Sequence, residues 1–171
     1  MMLLAVLVML QGVGAPDAAP LRSVELQVTE VRRADGALAA RAMVFVGGGA
    51  VQVRIQAAGL PPGRYGAHVH AVGRCDAPDF ETAGLHWNPT GRQHGTLNPA
   101  GHHLGDLPNL EVGEDGHGRV EFAIPAAAMS GDQGVIDTDG AAIIIHANPD
   151  DDRTDPSGNS GARIACGAFA P

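Results

Sequence analysis

The chain has 171 residues and a formal net charge of −8, and all eleven of its basic residues are arginine. A chain of this length is usually one domain and can bury enough apolar surface to form a core. The negative charge argues against nucleic acid and anionic membranes as partners, because both repel an acidic protein.

The N-terminal segment, MMLLAVLVMLQGVG over residues 1–14, has the length of the apolar part of a signal peptide and is too short to span a bilayer. Small residues follow it, so we expect a leader over residues 1–20 and a domain over residues 21–171. The protein is then periplasmic or secreted, with no stable membrane anchor after leader removal. No basic residue precedes the apolar run, so an uncleaved apolar helix and a misassigned start codon remain alternatives.

Short segments of alternating apolar and polar residues follow the leader, and none shows a sustained helical period. Such alternation, interrupted by Gly-rich turns, is typical of half-buried strands. About eight segments of this kind predict an all-β sandwich or barrel. The predicted strands cover residues 23–32, 38–46, 51–57, 65–72, 107–112, 119–124, 141–147 and 163–169.

The stretch from residue 68 to residue 106 holds six of the eight histidines. His68 and His70 are two positions apart in a predicted strand, so both imidazoles can reach one metal ion from the same face. That motif is weak alone, but a long loop rich in Gly, Pro and Asn follows, and long loops in compact domains are often functional. Imidazole suits zinc and copper, and one added carboxylate suits zinc. The ligand candidates in the loop are His86, His94, His103 and Asp106.

The two cysteines, Cys75 and Cys166, lie far apart in the sequence. In an exported protein an even cysteine count suggests a disulfide. Two free buried thiols and a pair of metal ligands are the alternatives. The metal interpretation is the weaker one, because neither cysteine belongs to a CxxC or CxH motif.

Seven motifs follow one another along the chain: HVH at 68–70, GLHWNP at 84–89, HG at 94–95, HLGDLPN at 103–109, SGD at 130–132, IIIHANPDD at 143–151 and GNSGARIACG at 158–167. In this order and spacing, they resemble those of the copper/zinc superoxide dismutases, specifically the exported bacterial forms. The resemblance covers nearly all of the chain after the leader. It implies an eight-stranded Greek-key β-barrel or sandwich with long metal-binding loops, and this family is itself counted among the immunoglobulin-like architectures.

The resemblance implies one copper site and one zinc site that share a bridging histidine. The implied copper ligands are His68, His70, His86 and His146. The implied zinc ligands are His86, His94, His103 and Asp106. His102 could compete with His103, but the family spacing places the ligand three residues before the aspartate and therefore selects His103. His102 and His117 are then expected to be exposed loop residues.

Further roles follow from the same resemblance. Arg163 is the implied arginine beside the copper and, with His86, a catalytic residue. Asp150 is the implied carboxylate that hydrogen-bonds one copper-ligand and one zinc-ligand histidine. Cys75 and Cys166 are the implied family disulfide. Trp87 follows the bridging histidine and is expected to serve packing.

The implied activity is conversion of superoxide to oxygen and hydrogen peroxide with a Cu(II)/Cu(I) cycle. Two alternatives are a metal-binding or copper-delivery protein on the same fold without activity, and a structural sandwich with zinc only. The complete ligand set together with Arg163 favours the enzyme.

Bacterial members include monomers and dimers, so a homodimer remains open. Arg153 is the candidate to help guide superoxide, unless it only pairs with its flanking aspartates.

Overall fold

The computed structural model describes residues 26–125 and 127–171, which form an antiparallel β-barrel with a short 3₁₀ helix at Glu81–Ala83. The predicted leader lies outside the described residues. Within them, no helix is both long and apolar enough to cross a membrane. The strands are β1 (Leu26–Arg33), β2 (Leu38–Gly47), β3 (Ala50–Ala57), β4 (Gly63–Tyr65), β5 (Ala67–His70), β6 (Leu110–Val112), β7 (Gly118–Pro125), β8 (Ala141–His146) and β9 (Arg163–Phe169).

The strands follow one another around the barrel in the order β4-β6-β7-β3-β2-β1-β9-β8-β5. Three neighbouring pairs, β3 with β7, β1 with β9 and β5 with β8, join distant parts of the chain, as Greek-key connections do. The strands at the two ends of this order, β4 and β5, are separated in the chain only by Gly66. The sheet therefore curves back on itself and is nearly closed, which confirms the predicted all-β barrel class.

The structure corrects the predicted strand over residues 65–72, which is divided at Gly66. The Gly66 N–H donates to Asn148 O at 2.8 Å, and the His146 N–H donates to Gly66 O at 2.9 Å. A Cβ atom at Gly66 would lie 2.8 Å from the Ser160 Cβ. The backbone thus bends where the loop after β8 packs against it, and the barrel has nine strands instead of about eight.

The apolar run in β8 is explained by burial on both faces of the strand. Ile143 and Ile145 point into the main core of the barrel. Ile144 lies on the opposite face, in a second apolar cluster with Phe80 and Cys166. A loop therefore covers the outside of the barrel at β8, and the metal-ligand candidates lie under this cover.

Candidate metal centre

Three histidines lie together on the outer face of the barrel where β5 runs beside β8. His68 and His70 occupy alternate positions of β5 and pair with Ile144 and Ala142 of β8. His146 continues the same face of β8, since successive side chains of a strand alternate. All three imidazoles are buried, with at most 3% exposure. Strand alternation places His68 and His70 on this face, as the HVH motif predicts, and the pairing of β5 with β8 brings His146 beside them.

The long loop after β5 folds back and pairs with the free edge of that strand. The Trp87 N–H donates to Val69 O at 2.8 Å, and two isolated backbone bridges flank this contact. The bridges pair His70 with His86 and His68 with Asp106. Backbone pairing therefore delivers ligand candidates of the loop to the histidines of the strand.

Four ring nitrogens converge in what we call the four-histidine group. The candidate ligand atoms of this group lie within 4.8 Å of one another. Its members are His68, His70, His86 and His146. In three of them one ring nitrogen is buried without a hydrogen-bond partner among the described residues: His68 Nδ1, His70 Nε2 and His146 Nε2.

The remaining ring nitrogens of these three histidines fix their tautomers. Each one donates its N–H to an oxygen that can only accept: Asp150 Oδ2 at 2.6 Å from His68, Gly84 O at 2.9 Å from His70, and Gly161 O at 3.0 Å from His146. The unpartnered nitrogens therefore carry lone pairs. Buried lone pairs that point at one another are costly unless a cation lies between them, so this group fits a metal ion.

Three further ring nitrogens surround one carboxylate oxygen in what we call the mixed group. Its members are His86, His94, His103 and Asp106, all buried. Asp106 Oδ1 lies 2.9 Å from His86 Nδ1 and 3.0 Å from the Nδ1 atoms of His94 and His103. Asp106 Oδ2 accepts the backbone N–H groups of Gly95 at 2.9 Å and His103 at 3.0 Å. The carboxylate is thus held rigidly, with three imidazoles directed at it.

His86 belongs to both groups. Its Nδ1 lies in the mixed group, and its ring centroid is 4.0 Å from that of His68 and 4.9 Å from that of His70. Asp150 joins the groups a second time, because its carboxylate accepts from His68 Nε2 at 2.6 Å and lies 3.0 Å from His94 Nε2. The two groups therefore form one connected centre.

Asn109 fixes the position of Asp150 and was missed by sequence reasoning. Asn109 Nδ2 donates to Asp150 O at 2.9 Å, and the Asp150 N–H donates to Asn109 Oδ1 at 2.7 Å. This pair of bonds ties the loop after β8 to the segment that precedes β6. The only sequence signal was the place of Asn109 at the end of the HLGDLPN motif.

Burial and hydrogen bonding shift the pKa values of five histidines in opposite directions. Burial lowers the pKa of His68 to about 3 and that of His146 to about 4, and it also lowers the pKa values of His70 and His86. Burial also acts to lower the pKa of His94. Hydrogen bonds with Asp106 and Asp150 outweigh the effect of burial and raise the pKa of His94 to about 10. The four-histidine group is therefore neutral at pH 7 and ready to bind a cation.

Arg163 starts β9 directly beside His146 at the end of β8. Its guanidinium donates from Nη1 to Phe80 O and from Nη2 to Gly84 O, each at 2.8 Å. Gly84 O also accepts from His70 Nδ1, so one carbonyl positions both a ligand candidate and the arginine. Gly84 has φ +74°, a backbone conformation that favours glycine.

Cys75 and Cys166 form the predicted disulfide, with a Cα–Cα distance of 5.6 Å. This rules out the free-thiol and metal-ligand alternatives for these cysteines. The bond joins the loop that carries Phe80 and Gly84 to β9, which carries Arg163. It therefore fixes the arginine relative to its two carbonyl acceptors.

A cavity opens over the four-histidine group and is lined by His70, His86, His146 and Arg163. Six charged side chains other than histidine line it: Arg92 and Arg163, against Glu81, Asp132, Asp137 and Asp155. The sequence-based steering candidate, Arg153, is not among the lining residues. Arg92 lies there instead, and sequence reasoning missed it because its loop is placed only by tertiary contacts.

The remaining predicted residues, Trp87, His102 and His117, lie outside both ligand groups. Trp87 is buried in the main core, so its role is packing. His102 lies outside both ligand groups, but it is half-buried and not exposed as predicted, because its Nδ1 donates to His103 O at 2.7 Å. His117 lies in the turn before β7, outside both ligand groups.

Comparison with known proteins identifies a family. The family model for copper/zinc superoxide dismutase matches residues 42–169. The chain is 49% identical over 124 residues to the superoxide dismutase-like protein YojM of Bacillus subtilis, a match that covers 70% of this chain and 62% of YojM. It is 39% identical over 143 residues to a Cu-Zn superoxide dismutase of Caulobacter vibrioides, covering 81% of this chain and 82% of that protein.

Solved structures agree with these sequence relatives. A double mutant of a superoxide dismutase-like protein from Bacillus subtilis has a TM-score of 0.78 and 42% identity, covering 84% of this chain and 97% of the other. The Cu/Zn superoxide dismutase of Brucella abortus has a TM-score of 0.62 at 24% identity, covering 84% and 99% of the two chains, and shows the shared fold. The chain belongs to the copper/zinc superoxide dismutase family of oxidoreductases.

Proposed function

We propose that this protein is an active superoxide dismutase, which converts two superoxide ions and two protons to one oxygen and one hydrogen peroxide. The observation that carries the proposal is the set of three buried, unpartnered imidazole lone pairs beside Arg163 at the base of an open cavity. Lone pairs can hold a redox metal, and a fixed guanidinium can hold an anion next to it. Family membership supports the same activity.

We assign copper to the four-histidine group and zinc to the mixed group. The copper ligands are His68, His70, His86 and His146, and the zinc ligands are His86, His94, His103 and Asp106. Four imidazoles without a carboxylate would suit copper, whereas three imidazoles with one carboxylate would suit zinc. Bound copper supplies one-electron chemistry between Cu(II) and Cu(I), and zinc supplies a fixed positive charge without redox chemistry.

In this proposal Arg163 binds the anion and His86 transfers a proton. Two of the guanidinium N–H groups of Arg163 are held by carbonyls, so the fork is oriented in advance and offers its charge to an anion in the cavity. His86 keeps Nδ1 in the mixed group, so its Nε2 is the atom that can take up a proton and return it to the reduced oxygen species. Asp150, clamped by Asn109, holds the rings of His68 and His94 in orientation.

Metal analysis combined with a direct rate measurement tests the proposal. Protein loaded with both metals should contain one copper and one zinc per chain and should consume superoxide in pulse radiolysis, with one hydrogen peroxide formed for every two superoxide ions. His146→Ala should remove copper and activity, while the exposed control His117→Ala should keep both. Full metal content with superoxide decay at the rate of buffer alone would reject the dismutase assignment.

A second candidate is a copper-binding protein without dismutase activity. It is supported by the superoxide dismutase-like description of YojM and by the four carboxylates at the cavity, which oppose the approach of an anion. The candidates differ in one measurement, because this one predicts tight copper binding with no acceleration of superoxide decay. The presence of Arg163 beside the four-histidine group favours the enzyme.

We infer a periplasmic or secreted location. The disulfide supports it, because such bonds persist in oxidising compartments and are rare in the cytosol. Fractionation of cells that produce the full chain should place the oxidised protein outside the cytoplasm. Recovery of reduced protein from the cytoplasm would contradict the inference.

The neighbouring histidines His102 and His103 provide a matched test of the zinc assignment. His103→Asn should weaken zinc binding more than about 100-fold, because loss of even an outer hydrogen-bond partner of a ligand costs roughly 10–100-fold. His102→Asn should cost far less, since the His102 ring lies outside both ligand groups and contacts only the backbone carbonyl of His103, not its imidazole. Competition titration with a chromogenic chelator measures both, and equal losses would reject the assignment.

The raised pKa of His94 predicts proton release when zinc binds. At pH 7.5 the metal-free protein holds His94 protonated, because its pKa is raised to about 10 by Asp106 and Asp150. Zinc must displace that proton, so zinc affinity should rise about tenfold per pH unit between pH 7 and 9. Calorimetry in two buffers of different ionisation enthalpy counts the protons. Copper should release none from His68 or His146, whose pKa values are about 3 and 4.

A further inference from the structure

Glu81 is the acidic residue that forms an ion pair with Arg163 at the cavity. Glu81 Oε2 lies 3.5 Å from Arg163 Nη2, the same nitrogen that donates to Gly84 O. Among the described residues no other carboxylate lies within 4.0 Å of this guanidinium as an ion pair. The Arg163 side chain is 13% exposed, whereas that of Glu81 is 70% exposed.

The short 3₁₀ helix explains why Glu81 is at this position. The helix spans Glu81–Ala83, and the two carbonyls that hold Arg163, those of Phe80 and Gly84, flank it on either side. The arginine therefore lies across the helix, and the first helical side chain reaches its guanidinium. Glu81 itself lines the cavity, so its negative charge lies beside the space from which an anion would approach.

We propose that Glu81 competes with anionic substrate for Arg163 and so limits anion capture at the four-histidine group. This inference rests on the proposed function, because it assigns Arg163 to anion binding. A carboxylate 3.5 Å from the guanidinium offsets much of the field that an incoming anion would feel. The exposed Glu81 side chain is free to leave, so it weakens capture and does not block it.

Azide is a suitable probe, because it is a small anion that can bind beside Arg163 and is followed spectroscopically in copper-loaded protein. Glu81→Gln keeps the size of the side chain and removes its charge. Azide affinity should therefore rise on the order of twofold to fivefold at low salt, since the free energies of exposed ion pairs correspond to changes of this size. The superoxide rate should rise by a similar factor. Both gains should shrink near 1 M salt, where the screening length is about 3 Å.

Glu114→Gln is the matched control. Glu114 is exposed in the turn between β6 and β7 and does not line the cavity, yet its substitution changes net charge by the same amount. Equal azide affinities in wild type, Glu81→Gln and Glu114→Gln would overturn the proposal, as would equal gains in both variants.

The outcomes separate this inference from the proposed function. A rise in azide affinity in Glu81→Gln with no dismutase activity in wild type would keep the competition and reject the enzyme. Full wild-type activity with unchanged azide affinity in Glu81→Gln would reject the competition and keep the enzyme. The azide affinities of wild type and Glu81→Gln can also be compared without copper. For this, the NMR signal of the Arg163 side chain is followed while zinc-only protein is titrated with azide.

Discussion

Arg163→Ala is expected to lower the second-order rate with superoxide by roughly ten- to a hundredfold while both metals stay bound. The guanidinium is mostly buried, held by two carbonyls and adjacent to His146, so its removal takes away a fixed charge at the base of the cavity. None of its nitrogens belongs to a ligand group, so metal content should not change. Pulse radiolysis and metal analysis on the same preparation measure both quantities.

Arg163→Lys should recover part of the lost rate, because an ammonium restores the charge without the planar fork that fits two carbonyls. Arg153→Ala is the matched control, since Arg153 is exposed and does not line the cavity. We expect that variant to stay close to wild type. An Arg163→Ala protein with full activity at limiting superoxide would remove Arg163 from the mechanism.

The ligand groups could be anticipated from the sequence because they depend on local rules. Strand alternation places His68 and His70 on one face, and the spacing of His103 and Asp106 lets one tight turn direct both at the same centre. The family motifs supplied the pairing of these elements with the distant His146. The structure brings all of these residues into two connected groups.

Other features could not be predicted, because contacts between distant segments decide them. The break at Gly66 depends on Asn148 and Ser160, which are more than 80 residues later in the chain. Asn109 gains its role only when the loop after β8 reaches it. Arg92 and Glu81 line the cavity because two loops fold over β5 and β8, whereas Arg153, closer to Arg163 in sequence, does not.

Replacing Cys75 and Cys166 together by serine is expected to destabilise the metal-loaded protein by roughly 4–5 kcal/mol. The bond joins residues 91 apart, and a loop of this length loses much chain entropy in the unfolded state. For a chain of this size the loss corresponds to a fall in Tm of about 10–15 °C. Thermal unfolding followed by circular dichroism measures it, with reduced wild type as a control that should match the variant. A shift below about 2 °C would show that loop packing, not the bond, holds this region.

The same variant should also lose affinity for anions, for a reason separate from its stability. Cys75 anchors the loop whose carbonyls at Phe80 and Gly84 orient Arg163, and Cys166 lies three residues after Arg163 on β9. Without the bond the loop can move away from β9, so the guanidinium loses its fixed acceptors. Azide affinity measured well below the variant's Tm should therefore fall, although both metals remain bound. Unchanged affinity there would mean that the two carbonyl contacts alone suffice to position Arg163.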